Sequence, residues 1–408
     1  MDLLEILAYP EQRSRRGEPQ FESEYTGLLG RFSRKYFRYR FLFVVLSALL
    51  HRLHKRKSVD IVFLGLPFLH LTLQTSAHFK IMCLLQDENE LFSAIRHHIP
   101  GILAWKWKAE LFQAYKTDNT SERREHLDNI VTEIKEFLSE YSPRAIVLKN
   151  DSFFLERAVI FAARSVGIQT ITIQHGLFMR STEPHVFDGY WTDHMFVWSE
   201  YFKDLYRTLK ILPEESVHIL GFPYPVDVNS DKSVNDPSEV CLLGQPWELY
   251  ADRFRITKVQ IISNVMEACA RLDIGMVYRP HPSESRLELA EHVPDLSLTK
   301  ESESLQEAID RYGLFCSMTS TALVEVVLKG RNAVQIRADD IPADNFEDIG
   351  LCYSVDNDPD EIEELLRGLK QSTIPFFEVN HSYIHVAENL GEKFVSIIDK
   401  VTGVRHGN

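Results

Sequence analysis

Ile274-Gly275-Met276-Val277-Tyr278-Arg279-Pro280-His281-Pro282-Ser283-Glu284 is the stretch on which the reading of the whole chain turns. Its apolar start reads as a buried strand, and the proline-flanked histidine falls just past the end of that strand. Further on, Leu314-Phe315-Cys316 reads as another short strand. It runs into Ser317-Met318-Thr319-Ser320-Thr321 ahead of a helical pattern over Ala322–Lys329. A hydroxyl-rich helix start is an anion site, because unpaired N–H groups and the helix dipole favour negative charge by roughly 0.3–2 kcal/mol per contact. In an open α/β sheet, ligands lie outside the carboxyl ends of the strands, where both segments fall. The two are therefore expected to wall one phosphate-binding cleft. Singly, each has a plainer explanation, since Ser and Thr are common N-caps and a histidine between prolines is as often a turn residue. Their recurrence at successive strand ends is what favours a ligand site.

Around this region the rest of the chain is of one kind. At 408 residues and 44% hydrophobic content it is globular and long enough for two domains, each with its own core. A formal charge of -14 argues against general nucleic-acid binding, which needs a basic surface. Five scattered cysteines, mostly inside apolar runs, suggest buried free thiols in a reducing compartment. Acid at the N-terminus, where a secretory signal carries base, and apolar runs shorter than about 18 residues point to a cytoplasmic protein.

In chain order, residues 1–57 form a basic helical extension. Arg31, Arg34, Lys35, Arg38 and Arg40 precede the apolar run Phe41–Leu50, and Arg52, Lys55, Arg56 and Lys57 follow it. The segment 31–57 fits either a core helix with solvated ends or a helix lying on an anionic membrane surface, where each basic residue contributes about 1 kcal/mol. From Ser58, strand and helix patterns alternate. Strands are expected at 59–65, 79–85, 145–148, 170–173, 195–199 and 217–221, with helices near 121–141 and 155–166. The crossover between 145–148 and 170–173 predicts parallel pairing. Ile173 runs straight into Gln174-His175-Gly176, a second histidine at a strand end, followed by a long mixed loop with Arg180, Glu183, His185 and Asp188. A polar stretch over 229–239 reads as a linker. The second series runs from Val240–Leu243, with Gly244-Gln245-Pro246-Trp247 at its strand end, through the His281 and hydroxyl segments to a strand at 333–336 and a helix at 360–369. The domains are thus set at 58–228 and 239–375, with helices in 376–408 crossing back to the first domain. The fold class is α/β, two Rossmann-like doubly wound domains, without a GxGxxG fingerprint.

This arrangement resembles the GT-B glycosyltransferases. Ile173-Gln174-His175-Gly176, Arg279-Pro280-His281-Pro282 and Ser317–Thr321 with Glu325 are similar to the bacterial capsule and surface-polysaccharide transferases, which include sialyl-, polysialyl- and Kdo-transferases and CDP-glycerol glycerophosphotransferases. The resemblance covers residues 58 to 375. It implies that His281, with Ser320 and Thr321, holds the phosphate of a CMP- or CDP-linked donor, the register of Thr319-Ser320-Thr321 being open by one. Ser317, Gln245, Arg279, Pro282 and Glu284 fall in the same donor-binding set, and Glu325 is placed to accept from ribose hydroxyls. A protonated His281 would stabilise the departing phosphate at cytoplasmic pH, and the hydroxyl turn would do so without a metal or other cofactor. The acceptor needs a base from the first domain. Asp151, which follows a strand and opens a helix, is the first choice and His175 the competitor. Gln174, Gly176, Arg180 and Glu183 fall on the acceptor side.

The implied activity is transfer of a sugar from a cytidine nucleotide, such as a CMP-sugar, to a glycan or lipid-linked glycan on the cytoplasmic face of the membrane. Three alternatives stay open. A polyol-phosphate transferase shares the CDP donor. A UDP-sugar 2-epimerase shares the fold and an Arg-x-His-Pro segment, although its hydroxyl turn is followed by paired glycines where Thr321-Ala322-Leu323 stands here. A non-catalytic glycan-binding protein on a decayed transferase fold would be indifferent to His281.

Overall fold

The computed structural model describes residues 3–8, 30–38 apart from 32 and 35, 58–66, 68–177, 192–209, 212–225, 238–249, 253–341, 343–380 and 382–403. The chain divides into two compact units. The first takes the described residues up to His175, those from 192 to Tyr224 and those from His385 onward, and the second takes Gly176, Leu177 and the residues from Pro225 to Ile384.

The first unit runs β1 (Ile61–Leu64), α1 (Leu69–His78), β2 (Ile81–Leu85), α2 (Glu88–Arg96), β3 (Gly101–Leu103), α3 (Trp105–Lys116), α4 (Thr120–Tyr141), β4 (Ala145–Leu148), α5 (Phe154–Ser165), β5 (Gln169–Ile173), β6 (His194–Val197), α6 (Glu200–Leu209) and β7 (Val217–Ile219). The strands form one seven-stranded sheet in the order β3-β2-β1-β4-β5-β6-β7, all parallel. β1, β2 and β4 are buried along their whole length, which is why they read as unbroken apolar runs. Alternate residues feed two cores. Val62, Leu64, Met82, Leu84, Ile146 and Leu148 pack with α3, α4 and α5 on one face. Ile61, Phe63, Ile81, Val147, Ile171 and Phe196 pack on the other with the helix described last below.

The second unit runs β8 (Glu239–Leu243), α7 (Arg253–Arg271), β9 (Gly275–Arg279), α8 (Arg286–His292), α9 (Leu305–Arg311), β10 (Leu314–Ser317), α10 (Ala322–Leu328), β11 (Asn332–Arg337), β12 (Tyr353–Asp356) and α11 (Pro359–Lys370). Its parallel sheet has the order β12-β11-β10-β8-β9, and a single parallel bridge from Tyr278 to Leu298 adds one more extended segment outside β9. The final helix, α12 (Leu390–Thr402), belongs to the first unit, where Phe394 sits between the rings of Phe63 and Phe196.

Several elements differ from expectation. β3 and β12 have no apolar run to announce them, β3 being three residues long and β12 partly exposed at a sheet edge. Of the helical pattern over 383–401, only Leu390–Thr402 is helix, and before it the His385 carbonyl accepts from the Phe222 N–H. Of the basic extension, the described residues among 30–38 are helical and pack on α3, with Gln113 Nε2 donating to Ser33 Oγ and Tyr36 buried. The run at 39–57 and most of the stretch read as a linker lie outside the described residues, as do Arg180, Glu183, His185 and Asp188. All five cysteines are buried as free thiols. No described helix is long and apolar enough to cross a membrane.

Candidate functional site

The strand-end loops of the second unit are organised by buried charge. Past β9 the chain turns tightly, with the Glu284 N–H donating to the His281 carbonyl. Glu284 turns its carboxylate back under this turn. Oε2 accepts from the His281 N–H at 2.5 Å, while Oε1 accepts from the Tyr278 hydroxyl at 2.7 Å and Lys258 Nζ at 2.9 Å. Lys258 also donates to Glu248 Oε1 at 2.6 Å. The side chains of Glu284, Lys258 and Glu248 are 0%, 5% and 9% exposed, so a charged group removed from this set leaves its partners in a site that water does not reach. Gly244, at the end of β8, lies directly over the cluster, and a Cβ there would collide with the Glu284 carboxylate and the Tyr278 hydroxyl. Glu284 was expected among the donor-binding residues. Its carboxylate instead faces inward and holds the loop that carries His281.

The hydroxyl turn after β10 is tied to β8 through Gln245. Gln245 Oε1 accepts from the Thr319 N–H at 2.6 Å, and Nε2 donates to Thr319 Oγ1 at 2.9 Å. Ser317, fully buried, spends its hydroxyl on the Leu243 carbonyl. Ser320 Oγ accepts from the Ala322 N–H, and Thr321 Oγ1 from the Leu177 N–H. The helix that follows, α10, has only seven residues, so its dipole contributes less than the sequence pattern suggests. Ser320 and Thr321 are partly exposed, and Ser317 and Thr319 are buried.

β10, β8 and β9 are neighbours, so the ends of these three strands lie side by side, with the outer two about 10 Å apart by strand spacing. The Gly244–Gln245 turn joins them, touching Glu284 on one side and Thr319 on the other. A cavity of about 430 Å³ opens beside the histidine turn. It is lined by residues of 279–287 and 299–303, among them Arg279, His281, Pro282, Arg286 and Lys300. Ser320 and Thr321 are not part of that lining, so His281 and the hydroxyls border one row of strand ends rather than facing each other across one hollow. Burial raises the pKa of Glu325, and the charges of Arg279 and Lys329 pull it back. Burial, opposed by the Glu284 charge, brings the pKa of His281 below its ordinary value. This shift disfavours the protonated ring that the resemblance implies.

In the first unit, Gln174 is fully buried. Its side-chain oxygen accepts from the Trp198 N–H, and its carbonyl from Trp198 Nε1–H. His175 keeps part of its surface open, but its pKa falls to about 4, chiefly through burial and then through Lys149, whose carbonyl accepts from the ring. Tyr224 donates to the His175 carbonyl. Asp151 is 4% exposed and accepts from the Ser152 hydroxyl. The N-cap of α5 is Phe153, two residues on. Gly176 lies with the second unit, 3.7 Å from Thr321 Oγ1 as measured from a Cβ placed on it.

Three residues escaped the sequence reading. Lys258 and Glu248 form the buried network, and the only available signal was a lysine on the apolar face of α7, among Phe254, Ile261 and Ile262. His70 lies in the first turn of α1, just past β1. The β1/β4 boundary is where strand order reverses, the usual ligand crevice of such sheets. Its Nε2 is buried without a partner, while the Pro223 carbonyl accepts from the ring and burial lowers its pKa. The loop before it is held by Glu90, whose carboxylate accepts from the Leu66 and Gln86 N–H groups at 3.0 and 2.6 Å.

The chain matches no protein-family model and no curated protein by sequence. It is similar in structure to UDP-GlcNAc 2-epimerase from Methanocaldococcus jannaschii, with TM-score 0.55 and 12% identity over 84% of this chain and 99% of that one. A similar match is Staphylococcus aureus MnaA solved with UDP, with TM-score 0.59 and 12% identity over 86% and 98%. Anabaena HepE, in complex with UDP, gives TM-score 0.50 and 11% identity over 84% and 95%. At such identities the likeness is one of fold. The chain has the two-domain, GT-B-like α/β fold, with parallel sheets of seven and five strands.

Proposed function

We propose that the protein is a nucleotide-sugar glycosyltransferase whose second unit binds the donor. The observation that carries this reading is the row of three strand ends in that unit. Arg279 and His281 stand at one end, the Gly244–Gln245 turn in the middle, and Thr319–Thr321 at the other, with a cavity of about 430 Å³ alongside. Two guanidinium groups and an ammonium line the cavity together with the carboxylates of Glu284, Glu301 and Glu303, and the cations are the groups that would meet a nucleoside phosphate. In the transfer, an acceptor hydroxyl oxygen bonds to the anomeric carbon as the bond from that carbon to the phosphate oxygen breaks. The acceptor proton passes to a base, for which the first unit offers Asp151, His175 and His70.

A cytidine donor and a surface-glycan acceptor are the finer form of the proposal, resting on the resemblance of the motifs to capsule transferases. A uridine donor is the second form, supported by the UDP bound in two of the similar folds. Thermal shift with CMP, CDP, UDP and GDP decides between them, because a ligand that binds only the native state raises its melting temperature. No shift with any of the four would remove the donor-site reading. Incubation with UDP-GlcNAc alone tests the epimerase alternative, which predicts the C2 epimer without an acceptor. Membrane attachment through 31–57 predicts binding to anionic vesicles that is lost when its basic residues are neutralised.

A further inference from the structure

The histidine turn has a feature that its sequence does not show. The Ser283 N–H donates to His281 Nδ1 at 3.1 Å. A backbone amide has no other proton state, so an acceptor at Nδ1 requires that nitrogen to be unprotonated. The proton of the neutral ring is then on Nε2. Adding a second proton, at Nδ1, would set two N–H groups against each other and break the turn. The turn in turn depends on Glu284, which takes the His281 N–H, and Glu284 depends on Lys258, Tyr278 and, through Lys258, on Glu248.

We propose that His281 acts as a neutral imidazole that donates a hydrogen bond through Nε2–H, and that Lys258 and Glu248 are positioning residues that hold it in this tautomer through Glu284. This deepens the donor-site reading and rests on it only for the identity of the acceptor atom, a phosphate oxygen. A neutral donor stabilises the charge of a leaving phosphate without releasing a proton to it. Positive charge along the cavity comes instead from Arg279, Arg286 and Lys300, set among the carboxylates of Glu284, Glu301 and Glu303. The charged and titratable groups around the ring are Glu284 and Arg279 on its own segment, Glu248 and Lys258 beneath it, and Arg286, Lys300, Glu301 and Glu303 along the cavity. Burial holds the ring neutral, in line with the hydrogen-bond geometry.

The test uses the ligand-free chain with isotope-labelled histidine, the His281 ring signals being assigned by comparison with His281→Gln. Nitrogen shifts should show Nε2 protonated and Nδ1 bare at pH 7, with titration below 6.5. An imidazolium at pH 7, or the opposite tautomer, overturns the proposal whatever the ligand proves to be. The positioning role is read from Lys258→Met and, as a milder lesion, Tyr278→Phe. With the far-ultraviolet dichroism unchanged, Lys258→Met should mix the two tautomers of His281 and weaken UDP or CMP binding at least tenfold. Tyr278→Phe should do the same to a smaller degree. If Lys258→Met does not fold, Tyr278→Phe decides. A folded variant with an unaltered His281 signal overturns the positioning role. Nucleotide affinity of the unaltered chain should stay within about twofold from pH 7 to 9, and a steady fall over that range would mean a charged imidazole. If neither nucleotide binds, the donor-site reading fails while the ring signals still decide the tautomer.

Discussion

Gln245→Leu should loosen the hydroxyl turn while keeping the size of the side chain. Gln245 bonds the Thr319 amide through Oε1 and the Thr319 hydroxyl through Nε2, with a longer contact from that hydroxyl back to Oε1, and Thr319 is 6% exposed. Each bond contributes about 1 kcal/mol net, and the amide left unpaired in a buried place adds a further penalty of about 1 kcal/mol. The turn should therefore lose about 2–3 kcal/mol. For a unit of this size, about 2–4 °C per kcal/mol gives a fall of about 4–12 °C in its melting temperature. If Ser320 and Thr321 hold a phosphate, their disorder in the free variant must be reversed on binding. Most of that energy then appears as weaker affinity, about 30-fold or more for UDP or CMP. Calorimetric titration measures the affinity and scanning calorimetry the stability on the same sample. A variant that melts early yet binds as tightly as the parent would show that the hydroxyl turn is structural and would leave the phosphate to the histidine turn alone.

Asp151→Asn should lower turnover more than it weakens nucleotide binding if this carboxylate is the base. Unchanged turnover would pass the role to His175 or His70, and His70→Gln then separates these two. Phe394→Ala, which empties a fully buried site between Phe63 and Phe196, should destabilise the first unit by about 3–5 kcal/mol, read by denaturant titration; a change under 1 kcal/mol would mean that α12 is not integral to that unit. His175 and His218 titrate near 4 in the fold, the latter lowered by burial first and then by His194, Lys400 and Lys203, against about 6.5 when unfolded. Between these values the unfolded chain binds more protons, so the first unit should be fully stable above pH 6.5 and lose stability as the pH falls toward 4. His175→Gln should make that loss shallower, and an unchanged slope would mean that its ring is accessible to protonation in the fold.

The elements with a strong periodic signal are legible in the chain alone. The runs Ile61–Leu64, Ile81–Leu85, Ala145–Leu148 and Val240–Leu243 are buried on both faces of their sheets, and burial on both faces leaves an apolar run that local pattern can read. The alternation of those runs with helical patterns points to the α/β class, and crossovers of helix length point to parallel pairing. The same positions at strand ends singled out His281, Gln245 and the 317–321 hydroxyls. What these side chains do depends on contacts between segments far apart in the chain. Glu284 and Ser317 look like ligand groups in a linear motif, yet both are spent on backbone and buried partners. His281 Nδ1 accepts from an amide two residues on, in a turn held by a carboxylate that in turn accepts from a lysine of α7. That lysine is remote in sequence, and a long-range contact between buried charges leaves no periodicity along the chain for a reader to find.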